Sequence, residues 1–276
     1  IGGRRLTLGR ARLLPVSKTP GVAFNSFEFL GFLAAVLAIY YAQKSCRLQM
    51  WTVILASLYF YSADDFDLVW LLASSILINA CLSWQIGRGT RWLIAFGITA
   101  NLCVLATFKY GPLLAELGLS AENHWSQWLS RLPLPIGISF FTFEAIVVLL
   151  DASKRRESLV SKVEKVGFLI SFFPHLISGP ILKAQEFFPQ LGRKRFQEIE
   201  WELAFRCLTL GYFLKMVVAD NLKEQTLIMD HYQGLSSVLL VVLLFAYSFQ
   251  IFADFAGYSL IAIGLGALLG YRLPKN

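Results

Sequence analysis

Asp254 has the clearest chemical meaning, because it is the single acid in the apolar stretch IFADFAGYSLIAIGLGALLGYRLPKN, residues 251–276. An ionised side chain at the centre of a membrane helix costs roughly 3 kcal/mol unless a partner or water neutralises it. Asp254 therefore either accepts hydrogen bonds from neighbouring helices as a structural acid or takes part directly in chemistry. Tyr258 and Ser259, about one helical turn further on, are expected to share its network. Gly257 allows a neighbouring helix to approach closely.

Lys215 and Asp220 form a second candidate pair, in the stretch GYFLKMVVADNL. Lys215 either pairs with Asp220 or extends its ammonium group to the membrane surface. His175 is considered as a general base, because imidazole titrates near neutral pH and this histidine lies inside an apolar segment, although catalysis is its weaker interpretation. His124 and His231 lie in polar loops. No Ser–His–Asp set, Cys–His set, phosphate-binding glycine loop or metal cluster is recognisable.

The segment that carries His175 is interrupted by helix breakers. Pro174 precedes the histidine, and Ser178, Gly179 and Pro180 follow it. Such an interruption frees backbone groups, which survive at membrane depth only where protein or a water-filled cavity covers them. The break is therefore either a simple kink or part of a polar path through the membrane.

The elements that position these residues must be membrane helices. Of the 276 residues, 56% are hydrophobic and 16% are charged, whereas soluble domains have about 25% charged residues. The expected fold class is an all-α, polytopic transmembrane helical bundle with broken or re-entrant segments, surrounded by membrane lipid. The net charge of +7 does not indicate nucleic-acid binding, since five cations lie in the first 21 residues and most others cluster in loops.

The four cysteines are expected to be small buried packing residues. None belongs to a CxxC pair, so neither a disulfide framework nor a metal site is predicted. They are Cys46, Cys81, Cys103 and Cys207.

Nine apolar segments are predicted to enter the membrane as helices, since about 20 apolar residues span it. Their predicted bounds are Phe27–Ala42, Trp51–Ser62, Leu68–Ile86, Trp92–Phe108, Leu134–Leu150, Val166–Leu182, Leu203–Ala219, Leu235–Phe252 and Phe255–Gly270. Basic residues favour the first, third and fifth loops, of which residues 151–165 are the most basic. These loops are predicted to face the cytoplasm.

Residues 1–21 conflict with that orientation, since they contain five cations and no acid but would lie outside the membrane. They are expected to be non-native, translated from upstream DNA if Val22 represents a GTG initiation codon. The alternative is a basic tail that lies on anionic lipid. Residues 22–276 are expected to form one incomplete membrane domain.

Four stretches, taken in order, resemble the membrane-bound O-acyltransferase (MBOAT) family, and most closely its alginate O-acetyltransferase branch. They are PIGISFFTFEAIVVLLD (Pro135–Asp151), FFPHLISGPILKAQEFFPQL (Phe172–Leu191), GYFLKMVVADNL (Gly211–Leu222) and FADFAGYSLIAIGLGALLGYRLPKN (Phe252–Asn276). The likeness runs from about residue 24 to the end of the chain. It departs at Glu144, where relatives tend to have Gln, and at Leu214, where they usually have a second Lys.

The resemblance implies a helical bundle around a central tunnel in the bacterial inner membrane. It implies transfer of an acetyl group from cytoplasmic acetyl-CoA toward a hydroxyl of an exported polysaccharide such as alginate, with no bound cofactor and with periplasmic acetyltransferase partners. The family's essential His lies in a Trp-His stretch downstream of the fourth motif, so the chain is expected to be C-terminally truncated and inactive alone. The family-motif or tunnel-lining candidates are Pro174, His175, Ser178, Gly179, Pro180, Lys215, Asp220, Asp254, Gly257, Tyr258 and Ser259.

Three alternatives remain open. D-alanyl transfer to teichoic acid, from an acyl carrier protein, belongs to the same family and would suit a Gram-positive envelope. A proton-coupled transporter that uses Asp254 belongs to another class, but no inverted repeat is visible and the four stretches would be unexplained. A purely structural membrane subunit is the third.

Overall fold

The computed structural model of the protein describes residues 24, 26–63, 66–116, 128–129, 132–154, 156–176, 179–231 and 234–274. The predicted non-native or basic tail, residues 1–21, lies outside the described residues, as do His124 and the candidate Ser178. Every regular element in the described residues is helical and none is a β-strand, which confirms the predicted all-α class.

The described α-helices are α1 (Phe27–Ala42), α2 (Cys46–Ser62), α3 (Phe66–Gly87), α4 (Trp92–Glu116), α5 (Ile138–Asp151), α6 (Leu159–Ser171), α7 (Phe173–Leu176), α8 (Ala184–Phe187), α9 (Trp201–Tyr212), α10 (Asp220–Thr226) and α11 (Ser237–Leu268). A π-helical segment, Phe213–Ala219, joins α9 directly to α10. Short 3₁₀ turns occupy Ala152–Lys154, Phe188–Gln190, Phe196–Glu198 and Leu227–His231.

Three of the described helices are long and apolar enough to cross a membrane. They are α3, α4 as far as Leu113 and α11, with mean hydropathies of 1.7, 1.6 and 2.1 over their most apolar windows. Helix α1 is apolar but shorter. Large apolar side chains such as Trp92 and Phe245 are exposed on the outer surface, as expected of a protein surrounded by lipid. The chain is therefore a membrane protein.

Helix α11 corrects the predicted boundary between the eighth and ninth segments. The structure has one uninterrupted helix of 32 residues where two segments, Leu235–Phe252 and Phe255–Gly270, were predicted. At 1.5 Å per residue this helix is about 48 Å long, well beyond the ~30 Å hydrocarbon core of a bilayer. Asp254 does not interrupt it, because a carboxylate does not break backbone hydrogen bonds and this one is paired with a lysine.

The predicted break in the sixth segment is present. Helix α6 ends at Ser171, α7 is a single turn, and residues 179–183 are not helical. The side chain of Ser57, on α2, accepts a hydrogen bond of 3.1 Å from the Phe173 amide at the start of α7. A neighbouring helix thus partners a backbone amide that the break frees, as burial requires.

Other predicted bounds differ from the structure mainly at helix ends. Helix α2 begins at Cys46 rather than Trp51, and α4 continues through Pro112 to Glu116 rather than ending at Phe108. The seventh segment does not end at Ala219 but continues through α10 to Thr226. A π-helical segment inside a longer helix frequently marks a functional site, and this one carries Lys215.

The core is an aromatic cluster that links the beginning of the described chain to its end. Its large, almost fully buried side chains include Phe29, Phe141, Phe168, Phe172, Phe173, Phe187 and Tyr271. The hydroxyl of Tyr40 on α1 donates to the carbonyl of Leu269 at 3.1 Å, and that of Tyr41 donates to Leu268 at 2.6 Å. These bonds satisfy carbonyls at the C-terminus of α11, which lack partners within the helix.

The cysteine prediction is wrong at two positions. Cys207 is buried and Cys46 partly buried, but Cys81 and Cys103 are exposed on α3 and α4. In a membrane protein the lipid-facing surface is as apolar as the interior, so a small apolar residue fits either. None of the four, all of which lie within the described residues, forms a disulfide bond.

Candidate functional site

Lys215 is the centre of the first polar cluster. Its ammonium nitrogen lies 2.6 Å from Asp254 Oδ1 and 2.8 Å from Asp220 Oδ1, and 5.0 Å from the centroid of the Tyr258 ring. The cluster therefore joins the π-helical segment, α10 and α11, and its formal charge is −1. Of the two interpretations given to Lys215, pairing with Asp220 is found, and Asp254 is a second partner that the sequence did not identify.

Burial differs within this cluster. The side chain of Lys215 is 18% exposed, whereas those of Asp220 and Asp254 are 40% and 43% exposed. Asp254 therefore has a cationic partner on another helical segment, but its carboxylate is only partly buried. The cation is enclosed and the two anions are partly accessible.

Two glycines bring the backbones of α9 and α11 into contact and so allow this cluster to form. A Cβ atom added to Gly211 would lie 2.8 Å from the Ile261 amide nitrogen and 2.9 Å from the Gly257 carbonyl oxygen. One added to Gly257 would lie 2.9 Å from the amide nitrogen of Lys215. Side chains at either position would separate the helices, which is how small residues act in membrane helix pairs.

His175 is part of a second polar cluster, with Glu144. The His175 Nε2 atom lies 2.5 Å from Glu144 Oε1, and the two side chains are only 1% and 2% exposed. The His175 ring also lies against Phe172, with centroids 5.4 Å apart. His175 Nδ1 is buried and has no hydrogen-bond partner among the described residues. The cluster is therefore a carboxyl–imidazole pair enclosed by apolar side chains.

The broken segment sets the position of His175. Pro174 and Pro180 are both buried. A Cβ atom at Gly179 would lie 2.8 Å from the His175 Cβ and 3.3 Å from the Ala262 Cβ. Gly179 therefore lets the chain pass between the histidine and α11, and a larger residue would displace one of them.

The structure thus brings the four family-like stretches together in pairs. Glu144 of the first stretch meets His175 of the second, and Lys215 of the third meets Asp254 of the fourth. Gly179 connects the second with the fourth. Glu144 was absent from the predicted site residues; the available signal was an acid inside an apolar segment, as for Asp254.

The remaining candidates are placed as follows. Ser259 is buried on α11 and has an interaction partner. The side chain of His231 lies outside the described residues. In the described part of the chain no three His, Cys, Asp or Glu side chains are close enough together to hold a metal ion.

The chain is similar to several curated bacterial proteins over almost its whole length. It is 31% identical to the "Peptidoglycan O-acetyltransferase" of Helicobacter pylori, an alignment that covers 96% of this chain and 58% of that protein. It is also 31% identical to the "Probable alginate O-acetylase AlgI" of Pseudomonas aeruginosa, over 91% of this chain and 50% of that one.

A more distant relative is named for a different activity. The "Teichoic acid D-alanyltransferase" of Bacillus subtilis is 22% identical over 73% of this chain and 50% of its own length. No protein-family model matches the chain. It spans about half the length of the curated relatives that it matches. These similarities, with the four stretches that pair in the fold, establish that the chain belongs to the membrane-bound O-acyltransferase family.

Proposed function

We propose that the protein to which this chain belongs transfers acetyl groups to a hydroxyl of an exported polysaccharide. The observation that carries the proposal is the similarity, over 91–96% of the chain, to relatives named as O-acetylases or O-acetyltransferases of alginate and peptidoglycan. Alginate and the glycan strands of peptidoglycan both lie outside the cytoplasmic membrane. The acceptor class proposed is therefore a glycan outside the cytoplasmic membrane, with alginate as the first candidate.

The fold supports a reaction that operates across a membrane. Acetyl-CoA is the proposed donor, because thioester donors are made in the cytoplasm while an exported polysaccharide lies on the other side. The bacterial inner membrane is the proposed location. Periplasmic acetyltransferase partners are proposed to complete the transfer.

The residues of this chain have a structural part in the proposed reaction. The Gly211–Gly257 approach holds α9 against α11, and the Lys215–Asp254 pair holds the π-helical segment against α11. The Glu144–His175 pair holds the broken segment against α5. His175 could act as a base only through its free Nδ1 atom, and the apolar enclosure of this pair favours a positioning role for it.

A complementation experiment tests the proposal. The complete reading frame that contains this chain is expressed, beside the 276-residue chain alone, in an alginate-producing strain that lacks its own membrane O-acetylase. We expect the complete frame to restore O-acetyl esters on the polysaccharide, measured by proton NMR, and the 276-residue chain to restore none. Absence of esters with the complete frame, at normal membrane levels of the protein, would contradict acetylation of this acceptor.

D-alanyl transfer is the second candidate, favoured by the Bacillus subtilis relative. It is less well supported, because identity falls to 22% and the alignment to 73% of the chain. Expression of the complete frame in a Gram-positive strain without its own transferase distinguishes the two. Release of D-alanine from teichoic acid by mild base would favour this candidate, and release of acetate alone would exclude it.

A further inference from the structure

The cavity between the end of α3 and the beginning of α6 is lined by two arginines and belongs to neither polar cluster described above. Its volume is about 470 Å³, within the roughly 300–1,000 Å³ typical of small-molecule sites. The lining residues are Trp84, Gly87, Arg88, Arg156, Glu157 and Ser158. By the distribution of basic loops, this end of the bundle is the one predicted to face the cytoplasm.

Both arginines are available to a ligand. No acidic side chain in the described residues forms an ion pair with Arg88 or Arg156. Arg88 lies over the Trp84 ring, with its guanidinium carbon 4.4 Å from the ring centroid. Stacking of this kind fixes the guanidinium plane while leaving its N–H groups free at the edge. Arg88 is therefore oriented in advance, which lowers the entropy cost of binding.

The single carboxylate in the lining does not neutralise the arginines. Glu157 accepts a hydrogen bond of 2.8 Å from Lys165 Nζ and one of 3.1 Å from Ser161 Oγ. Its charge is thus already balanced by a lysine on α6. A cavity with two uncommitted guanidinium groups and a balanced acid has an excess of positive charge.

Phosphate is the ligand chemistry that such a cavity fits. Guanidinium groups bind phosphate oxygens through two parallel N–H donors, and a charge-assisted bond of this kind is stronger than a neutral one. Ser158 lies in the lining and is the N-cap of the 13-residue helix α6. The partial positive charge of that helix end adds to the field of the arginines.

We propose that the cavity lined by Arg88, Arg156 and Trp84 is a binding site for a phosphate-bearing ligand on the cytoplasmic side of the protein. Two sources share this chemistry: the phosphate groups of a soluble thioester donor such as acetyl-CoA, and the headgroup of an anionic phospholipid. The first source rests on the proposed function. The site itself does not, because a phosphate-bearing ligand can bind without any acyl transfer.

The test is a binding measurement on the 276-residue chain in dodecyl maltoside, a detergent without phosphate. One arm titrates coenzyme A, and the other titrates short-chain phosphatidylglycerol, each followed by calorimetry. The test variant is Arg88→Gln/Arg156→Gln. The control is Arg91→Gln/Arg193→Gln, which removes the same charge from exposed arginines outside the lining. Thermal unfolding of each variant checks that it is folded.

We expect the test variant to bind at least one probe about tenfold more weakly or worse, since one lost charge-assisted bond corresponds to about a factor of ten or more in affinity. The control is expected to stay within about a factor of two, since surface substitutions outside a site have small effects. Arg88→Lys/Arg156→Lys, which keeps the charge but loses the paired donors, is expected to lie between. Trp84 gives a second readout, because binding beside Arg88 should alter a tryptophan emission that Trp84→Phe removes.

Each outcome of this experiment either supports or overturns the proposed phosphate site. Arginine-dependent binding of coenzyme A assigns the site to a soluble donor, and arginine-dependent binding of phosphatidylglycerol alone assigns it to a lipid headgroup. No binding of either probe, or equal weakening in the test and control variants, overturns the proposal. The assay measures no turnover, so its failure is distinct from a failure of acetyl transfer.

Discussion

Replacing Lys215 with Met is predicted to destabilise the protein more than replacing either of its acidic partners. In the fold one ammonium group lies between two carboxylates, 2.6 Å from Asp254 and 2.8 Å from Asp220. Lys215→Met leaves those two negative charges next to each other without a cation. Asp254→Asn leaves Lys215 paired with Asp220 and keeps an oxygen that accepts its hydrogen bond.

The exposure of the three side chains sets the size of the effect. Breaking a buried ion pair costs about 3–5 kcal/mol, and an exposed pair contributes about 0–1 kcal/mol. Since Lys215 is 18% exposed and the acids about two-fifths exposed, we expect about 2–3 kcal/mol for Lys215→Met, between these limits. For Asp254→Asn we expect about 1 kcal/mol or less, because one hydrogen bond is weakened rather than removed.

The assay is reversible unfolding of the purified chain in mixed dodecyl maltoside and dodecyl sulfate micelles. Lys223→Met is the matched control, because Lys223 lies on α10, is exposed and takes part in no ion pair among the described residues. It should change the free energy of unfolding by no more than about 0.5 kcal/mol. If Lys215→Met cost no more free energy of unfolding than this control, the lysine would not be holding the π-helical segment, α10 and α11 together.

Three further predictions concern other contacts. Gly257→Ala should lower the free energy of unfolding by about 1–3 kcal/mol, because the added Cβ would clash with the Lys215 backbone. The control Gly31→Ala should not lower it, because no atom lies within 4 Å of an added Cβ there. Equal effects of the two substitutions in unfolding titrations would contradict this prediction. Glu144→Gln should keep the bond to His175, whereas Glu144→Leu should cost about 1–3 kcal/mol by leaving it unpaired; similar unfolding curves for the two variants would argue against the pair. Burial raises the pKa of Glu157, but Lys165 lowers it more, so the net pKa lies below its ordinary value. The stability that Glu157 contributes should be complete above its unfolded pKa of about 4.3 and fall as the pH drops through the folded pKa. The difference in thermal stability between the protein and Glu157→Gln should therefore shrink from pH 6 to pH 3. A difference that stays constant over this range would refute the prediction.

Apolar length predicts where most of the helices lie, because only a helix satisfies its own backbone groups in lipid. Helix α1 has the predicted bounds, and α3 differs by two residues at its start and one at its end. The helix breakers around His175 likewise predict the interruption after α6, since proline cannot continue the hydrogen-bond ladder. These features follow from local chemistry alone.

The predicted break near Asp254 shows what local chemistry misses. A lone acid lowers the hydropathy of a window and suggests a boundary, but its neutralising lysine lies 39 residues earlier in the chain. The helix is continuous because the charge is paired in three dimensions, which no window of sequence contains. Cys81 and Cys103 show a related limit, since the apolar pattern of a membrane helix does not separate its lipid face from its packed face.

Ionisable residues within apolar segments nevertheless predict one feature of the tertiary structure. An isolated charge in such a setting is costly, so each ionisable side chain there requires a partner. Glu144, Lys215 and Asp254 all meet one, and in each case a partner comes from another of the four family-like stretches. The sequence shows that partners must exist but not which ones, because that choice depends on how the helices pack. The order of the stretches identifies the family. Because the stretches pair in the fold, a substitution in one should alter the contacts of another.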